Sequence, residues 1–245
     1  MKYNFVDVPV KPKTVTVITP TIGSTKLQDA IDSVQRQSYG FVEHLVVIDG
    51  AKYFDETMVN SQSRSRTKYT TSPENTGANG FYGHRIYAAY PHLINSDYIF
   101  FLDEDNWYKP NHVESLVKVL EQGNDFAYSL REIYDVNGIY VCDDNCESLG
   151  KWPIFHNEND FLIDTSSFAF KREFLINACH LWHSGWGGDR RFYNLVKQRP
   201  HDTNGEHTMC YRLDGNEGSV KPQFFDEGNG FQHMKYKGKF PWRKI

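Results

Sequence analysis

The sequence predicts an α/β protein: a mostly parallel central sheet with helices on both faces, joined to a smaller antiparallel and helical region. Three observations carry this. Over roughly the first 125 residues, short apolar runs alternate with helical patterns, the order that builds a parallel sheet with crossover helices. Each run is too apolar to be half exposed, as strands buried on both faces require. Further on, Asn137-Gly138 stands between two β-rich runs, a hairpin signal that brings antiparallel pairing.

Val15-Thr-Val-Ile-Thr19 is the first strand, β-branched and closed by Pro20, which lacks a ladder donor. A helix follows, because Thr25 with Gln28 three residues later is a capping-box pattern and Leu27, Ala30, Ile31 and Val34 share one helical face. His44-Leu-Val-Val-Ile48 is the second strand and ends at Asp49-Gly50. Tyr98-Ile-Phe-Phe-Leu102 is the third and ends at Asp103. Between these two, Ile86, Tyr87, Tyr90 and Leu93 mark a helix; after the third strand, Val113, Leu116, Val117 and Leu120 mark another, started by Asn111 and Glu114. Ile133-Tyr134 and Ile139-Tyr140-Val141 flank the hairpin turn. Phe161 to Phe170 and Thr208 to Leu213 are further strand candidates, separated by helical patterns over 172–181 and 190–197. No Gly/Ser/Pro linker divides the halves, so one domain over residues 1–245 is expected.

Hydrophobic residues at 39% and charged residues at 24% of the 245 fit an ordinary globular chain. The net charge of −4 supplies no broad basic field, which argues against nucleic-acid binding through phosphates. No apolar leader appears in Met1 to Lys13, and no run approaches the roughly 20 apolar residues of a spanning helix. A cytoplasmic protein is therefore expected, with at most peripheral membrane association. Four cysteines without a CxxC pair read as unused thiols, although Cys142 and Cys146 are loosely spaced for zinc. Aromatics at 15% suit either an aromatic core or a carbohydrate surface.

Ligands of open α/β sheets bind beyond the carboxyl ends of the strands. Three such ends carry polar residues here: Thr19-Pro20-Thr21, Asp49 and Asp103-Glu104-Asp105. Asp49 before Gly50 is also at home as a turn residue. Carboxylates gathered in one crevice repel one another unless a cation sits among them, which points to a hard divalent ion, Mn²⁺ or Mg²⁺.

Asp103-Glu104-Asp105 directly after an apolar strand resembles the DxD motif of nucleotide-sugar glycosyltransferases with the GT-A fold. Order strengthens the resemblance, because Val17-Ile-Thr-Pro-Thr21, the amphipathic helix, Val46-Val-Ile-Asp-Gly50 and Asn75-Thr-Gly77 precede it as in family 2 members. The likeness covers about residues 14 to 120. It implies that Pro20, Thr21 and Asp49 hold the nucleoside, that Asp103 and Asp105 hold the ribose and metal, and that Asn75 and Glu104 belong to the donor site. Asn75-Thr-Gly77 also reads as an ordinary turn. Where family members often carry an Arg-Asn pair, this sequence has Gly83-His84-Arg85. Arg85 is the candidate replacement cation, or else a solvated helix arginine.

Trp186-Gly-Gly-Asp189 leads into a helical pattern. On residue chemistry alone Asp189 is a helix cap; the resemblance implies a catalytic base, ionised at neutral pH. Trp182 and Trp186 are candidates for stacking on an acceptor sugar, or for the core. Such chains often add a late histidine to the metal. His207, opening His207-Thr-Met-Cys-Tyr-Arg212, is preferred to His201 and to His233, which lies in a Gly-rich stretch, 228–234, that reads as a lid. The resemblance implies a single GT-A domain, with a nucleotide-sugar half over 14–125 and an acceptor half with the base over 126–245. It implies inverting, metal-dependent transfer from a nucleotide-sugar donor, UDP-sugar first, to a carbohydrate or other hydroxyl acceptor. A non-catalytic nucleotide- or sugar-binding module and a glycoside hydrolase with paired carboxylates are the alternatives.

Overall fold

The apolar runs become strands because helices cover both of their faces. The computed structural model describes residues 11–62, 65–217 and 219–244, so most of the leader expectation for Met1 to Lys13 lies outside the described residues. The first half contains β1 (Val15–Thr21), α1 (Leu27–Gln35), β2 (Val42–Ile48), α2 (Glu56–Gln62), β3 (Thr67–Thr71), α3 (His84–Ala89), β4 (Tyr98–Phe101), β5 (Trp107–Tyr108) and α4 (His112–Glu121). The second contains β6 (Phe126–Tyr134), β7 (Tyr140–Asp143), β8 (Phe168–Lys171), α5 (Arg172–Ala178), α6 (Gly188–Val196), β9 (His201–Arg212) and α7 (Pro222–Tyr236).

These strands form one sheet in the order β3-β2-β1-β4-β8-β6-β9-β5, with β7 paired to β6. The first four run parallel. β8 then joins the halves by pairing antiparallel with both β4 and β6. Successive residues point to opposite faces. Ile18, Ile99 and Phe101 enter one core with Tyr87, Trp182 and Phe192. Val17 and Phe100 enter the other with Ala30, Val34, Leu116 and Leu120.

Several local expectations need correction. β1 continues through Pro20 to Thr21. Thr25 caps nothing: Lys26 stands at the start of α1 without a side-chain cap, and Gln28 instead bonds Asp32 at 2.8 Å. Asn111 precedes α4 without capping it, its amide going to Glu206 at 2.8 Å. Residues 161–167 are a loop and a 3-10 turn ahead of β8. β3 escaped the sequence reading because Thr-Lys-Tyr-Thr-Thr at the sheet edge is only half-buried and lacks the apolar signature of its neighbours.

The largest correction concerns residues 228–234. They are no lid but part of α7, a helix of 15 residues. Gly228 is there for close packing, since a Cβ would fall 2.6 Å from Cys146 Sγ and 2.7 Å from Phe155.

Candidate active site

Register brings the polar strand ends together. Thr21 pairs with Ile48 and Ile18 with Phe101, so the chain leaves β1, β2 and β4 at one edge of the sheet. There they open a cleft of about 560 Å³. Pro20, Thr21, Asp49, Asn75 and Asp103 to Asp105 line it from the first half of the chain, and Arg131, Glu147, Asp164, Asp189 and Arg190 from the second. Size and position fit a small-molecule site at the strands' carboxyl ends.

Asp49 has little of its carboxylate to spare. Oδ1 accepts from the Thr76 amide and hydroxyl at 2.9 Å each and from the Ser72 hydroxyl at 3.1 Å; Oδ2 accepts from the Gly77 amide at 2.8 Å. The acid therefore builds the 72–77 loop, and Oδ2, with one donor among the described residues, keeps a lone pair. Gly77 is required by that approach, because a Cβ would lie 2.3 Å from the Tyr82 carbonyl and 3.1 Å from Asp49. Asn75 donates to the Tyr53 hydroxyl at 3.1 Å, and among the described residues its buried Oδ1 has no partner. A buried unpaired acceptor is costly and fits a ligand donor. Tyr82, at the cleft rim, holds φ 52°, a conformation unusual for a bulky residue.

Arg85 does not line the cleft. Its guanidinium lies 3.4 Å above the Phe81 ring and donates to the Thr76 carbonyl at 3.2 Å, so it braces the loop from behind. Glu104 lines the cleft, but its carboxylate binds the Thr21 hydroxyl and the Ser24 amide. It thus fastens the turn after β1.

Asp103 accepts from the Tyr87 hydroxyl at 2.9 Å and from Ser166 Oγ at 3.2 Å. Burial, then the charges of Asp164 and Asp105, pushes its pKa up to about 8 against these bonds. Burial, then Glu104, pushes Asp105 up to about 6. Among the described residues no other side chain donates a hydrogen bond to Asp105. Partly buried acids whose pKa is raised for want of nearby positive charge fit a hard cation.

His207 does not join them. Its ring lies beside the Asp144 carbonyl, Nε2 at 3.3 Å, and 3.8 Å from Asp143, outside the cleft lining. Burial lowers its pKa. The expected third ligand is thus absent from the acid cluster, and no three His, Cys, Asp or Glu residues among those described are gathered for a metal. One or two carboxylates completed by phosphate oxygens and water remain an ordinary shell for Mg²⁺. His233 also lies off the cleft, on α7.

Asp189 enters from the first turn of α6, after Gly187 at φ 73°. It accepts from its neighbour's amide, Arg190 N, at 2.7 Å. Burial, then the charge of Asp164, nevertheless pushes its pKa up to about 7. The expectation of full ionisation at neutral pH is corrected accordingly: desolvation outweighs the helix terminus. Trp186 is 89% exposed at the rim, whereas Trp182 is fully buried in the core. Arg131, Glu147, Asp164 and Arg190 went unread in the sequence. Arg131, Glu147 and Asp164 lie in stretches without a short motif, and only long-range pairing gathers them; Arg190 stands next to the Trp186-Gly-Gly-Asp189 segment, whose reading stopped at Asp189.

Residues 16–193 match the family described as Glycosyl transferase family 2. An uncharacterized glycosyltransferase of Rickettsia bellii (strain RML369-C) is 29% identical over 131 residues, which cover 52% of this chain and 18% of that one. S. aureus TarS 1-349 in complex with UDP superimposes with a TM-score of 0.57 at 15% identity, over 91% of this chain and 65% of that one. The complex of the same protein with UDP-GlcNAc gives 0.58 at 14% identity, over 87% and 64%. The chain thus spans less than two thirds of the length of each. The likeness is one of fold: a mixed α/β domain with a mostly parallel sheet, as the GT-A expectation required.

Proposed function

This chain belongs to glycosyl transferase family 2, and from that premise we propose that it transfers a sugar from a nucleoside diphosphate donor to a hydroxyl acceptor with inversion. UDP-sugar is the favoured donor. The observation that carries the reading is the cleft at the carboxyl ends of β1, β2 and β4, whose lining includes Asp103, Asp105 and Asp189 together. The solved complexes of a fold neighbour with UDP and UDP-GlcNAc support the choice of donor.

In this mechanism Pro20, Asn75 and the free lone pair of Asp49 flank the nucleoside. Asp103 and Asp105 would hold Mn²⁺ or Mg²⁺, which would supply positive charge to offset that of the departing diphosphate. Tyr87 and Ser166 fix the Asp103 carboxylate. Asp189 takes the acceptor's proton as that hydroxyl attacks the anomeric carbon from the face opposite the diphosphate. Trp186 offers the acceptor an exposed ring at the rim. No helix among the described residues is long and apolar enough to cross a membrane. Four free cysteines, three of them buried, favour a reducing cytoplasmic setting.

The test is thermal stabilisation by UDP, UDP-GlcNAc and other nucleotide sugars, with and without Mn²⁺, because a ligand of the folded state raises the melting temperature. Stabilisation by a nucleotide sugar followed by its consumption with an acceptor is expected. Stabilisation without turnover on any acceptor would leave a binding module.

A further inference from the structure

Arg131, on β6 at the floor of the cleft, takes no part in the chemistry above, yet it is the hub of the cleft's buried charge. Its guanidinium donates Nε to Asp144 at 2.8 Å, one terminal nitrogen to Asp164 at 2.6 Å and the other to Glu147 at 2.5 Å. All four side chains are nearly or fully buried. Three acids around one cation make a poor stability device, since each desolvated charge is expensive. They make a good geometric one, because the planar fork fixes each partner's direction.

The connections run onward from both ends. Asp164 accepts from the Ser166 amide at 2.9 Å, and the Ser166 hydroxyl bonds Asp103 at 3.2 Å. On the other side, Glu147 lies 3.5 Å from the Arg190 guanidinium, and the Arg190 amide donates to Asp189 at 2.7 Å. Arg190 is further held by Asp160. The turn carrying Glu147 is pinned by Asp144, which accepts from the amides of Cys146, Glu147 and Ser148. A polar chain therefore runs from Asp103 to Asp189 with Arg131 at its middle.

We propose that Arg131 is a positioning residue that ties the donor half of the cleft to the acceptor half, holding Asp103 and the start of α6 in one geometry. For its meaning in catalysis this rests on the glycosyl-transfer reading. The tie itself is a property of the folded chain.

A double-mutant cycle tests it. Ser166→Ala cuts the chain beside Asp103 and Arg190→Gln cuts it at Glu147, where the guanidinium leaves while the amide to Asp189 stays; the two side chains share no hydrogen bond. UDP with Mn²⁺ is titrated into both single variants, the double variant and the wild type, and urea midpoints are measured on the same proteins. Arg190→Gln should weaken UDP binding about threefold or more in the wild-type background and hardly at all once Ser166 is alanine, the sign of coupled sites. The same loss in both backgrounds would mean that Arg190 meets the donor directly and would overturn the tie. So would stability losses that simply add. Arg131→Lys keeps the charge but not the fork, and it should abolish the coupling while the protein stays folded. If that variant does not fold, the cycle in the native Arg131 background still decides. Coupled stabilities with no UDP binding by the wild type would sink the glycosyl-transfer reading and leave the tie standing.

Discussion

Asp164 and Asp189 approach the cleft from the turn before β8 and from the first turn of α6, and the charge on Asp164 reaches the Asp189 carboxyl. After burial, that neighbour is what holds the Asp189 pKa near 7 against the Arg190 amide and the Arg131 cation. An acid so poised changes protonation state at neutral pH, which suits a general base better than a carboxylate fully ionised at pH 4. From this the first prediction follows directly. The rate constant kcat/KM should rise with pH through an apparent pKa near 7 and level off above it. Asp189→Asn should keep UDP affinity within about twofold and cost at least about 10²-fold in turnover. Near-normal turnover by the variant would reduce Asp189 to a helix-start acid.

Chelation supplies a second prediction. Asp103 and Asp105 are partly buried and crowded by Asp164 and Glu104, so a diphosphate brought to them without a cation meets like charge in a poorly solvated cleft. Calorimetry should show UDP binding at least about tenfold tighter in Mn²⁺ than in EDTA. Equal affinities would take the metal away from this pair of acids.

A third prediction concerns the cost of the site. Burial, with Asp164 and Asp105 close by, pushes the Asp103 pKa up to about 8 in the folded chain from the ordinary 3.8. Between those values the folded state binds more protons, so this group makes stability fall as pH rises through the window. Asparagine cannot ionise and can still accept from Tyr87. In EDTA at pH 8, Asp103→Asn should therefore melt several degrees above the wild type, each kcal/mol of relieved cost raising the melting temperature by roughly 2–4 °C, with the gap closing toward pH 4. A variant less stable than wild type at pH 8 would show that the carboxylate is compensated in the folded state.

How much of this was legible in the sequence depended on range. Val15 to Ile18, His44 to Ile48 and Tyr98 to Phe101 announced themselves because burial on both faces demands unbroken apolar runs. Their polar ends pointed to the cleft for the same reason. Cap chemistry was misread at Thr25 and Asn111, where a side chain competes among several local partners and the winner is set by tertiary contacts such as Asn111 to Glu206. The glycines of α7 suggested mobility, but Gly228 is dictated by the Cys146 and Phe155 atoms it packs against. Arg131 left no signal at all: its partners at 144, 147 and 164 are brought to it by the turn after β7 and the turn before β8, which no spacing rule encodes.

Asp49 gives the last prediction, and the structure changes its form. An acid whose only task was to meet the nucleoside would lose donor affinity on substitution and leave the fold untouched. Asp49 instead accepts from two amides and two hydroxyls of the 72–77 loop, and that loop carries Asn75 into the cleft. Asp49→Asn replaces one acceptor oxygen by a donor. Whichever way the amide turns, an N–H group of Thr76 or Gly77 then faces another N–H. A buried donor left unpaired costs about 1–3 kcal/mol, which lowers the melting temperature by roughly 2–4 °C per kcal/mol in a chain of this size. Donor affinity should fall as well, through displacement of Asn75. Temperature scans with and without saturating UDP and Mn²⁺ separate the two losses on one sample. A lower melting temperature with undiminished stabilisation by UDP would make Asp49 purely a loop acid and remove it from the donor site.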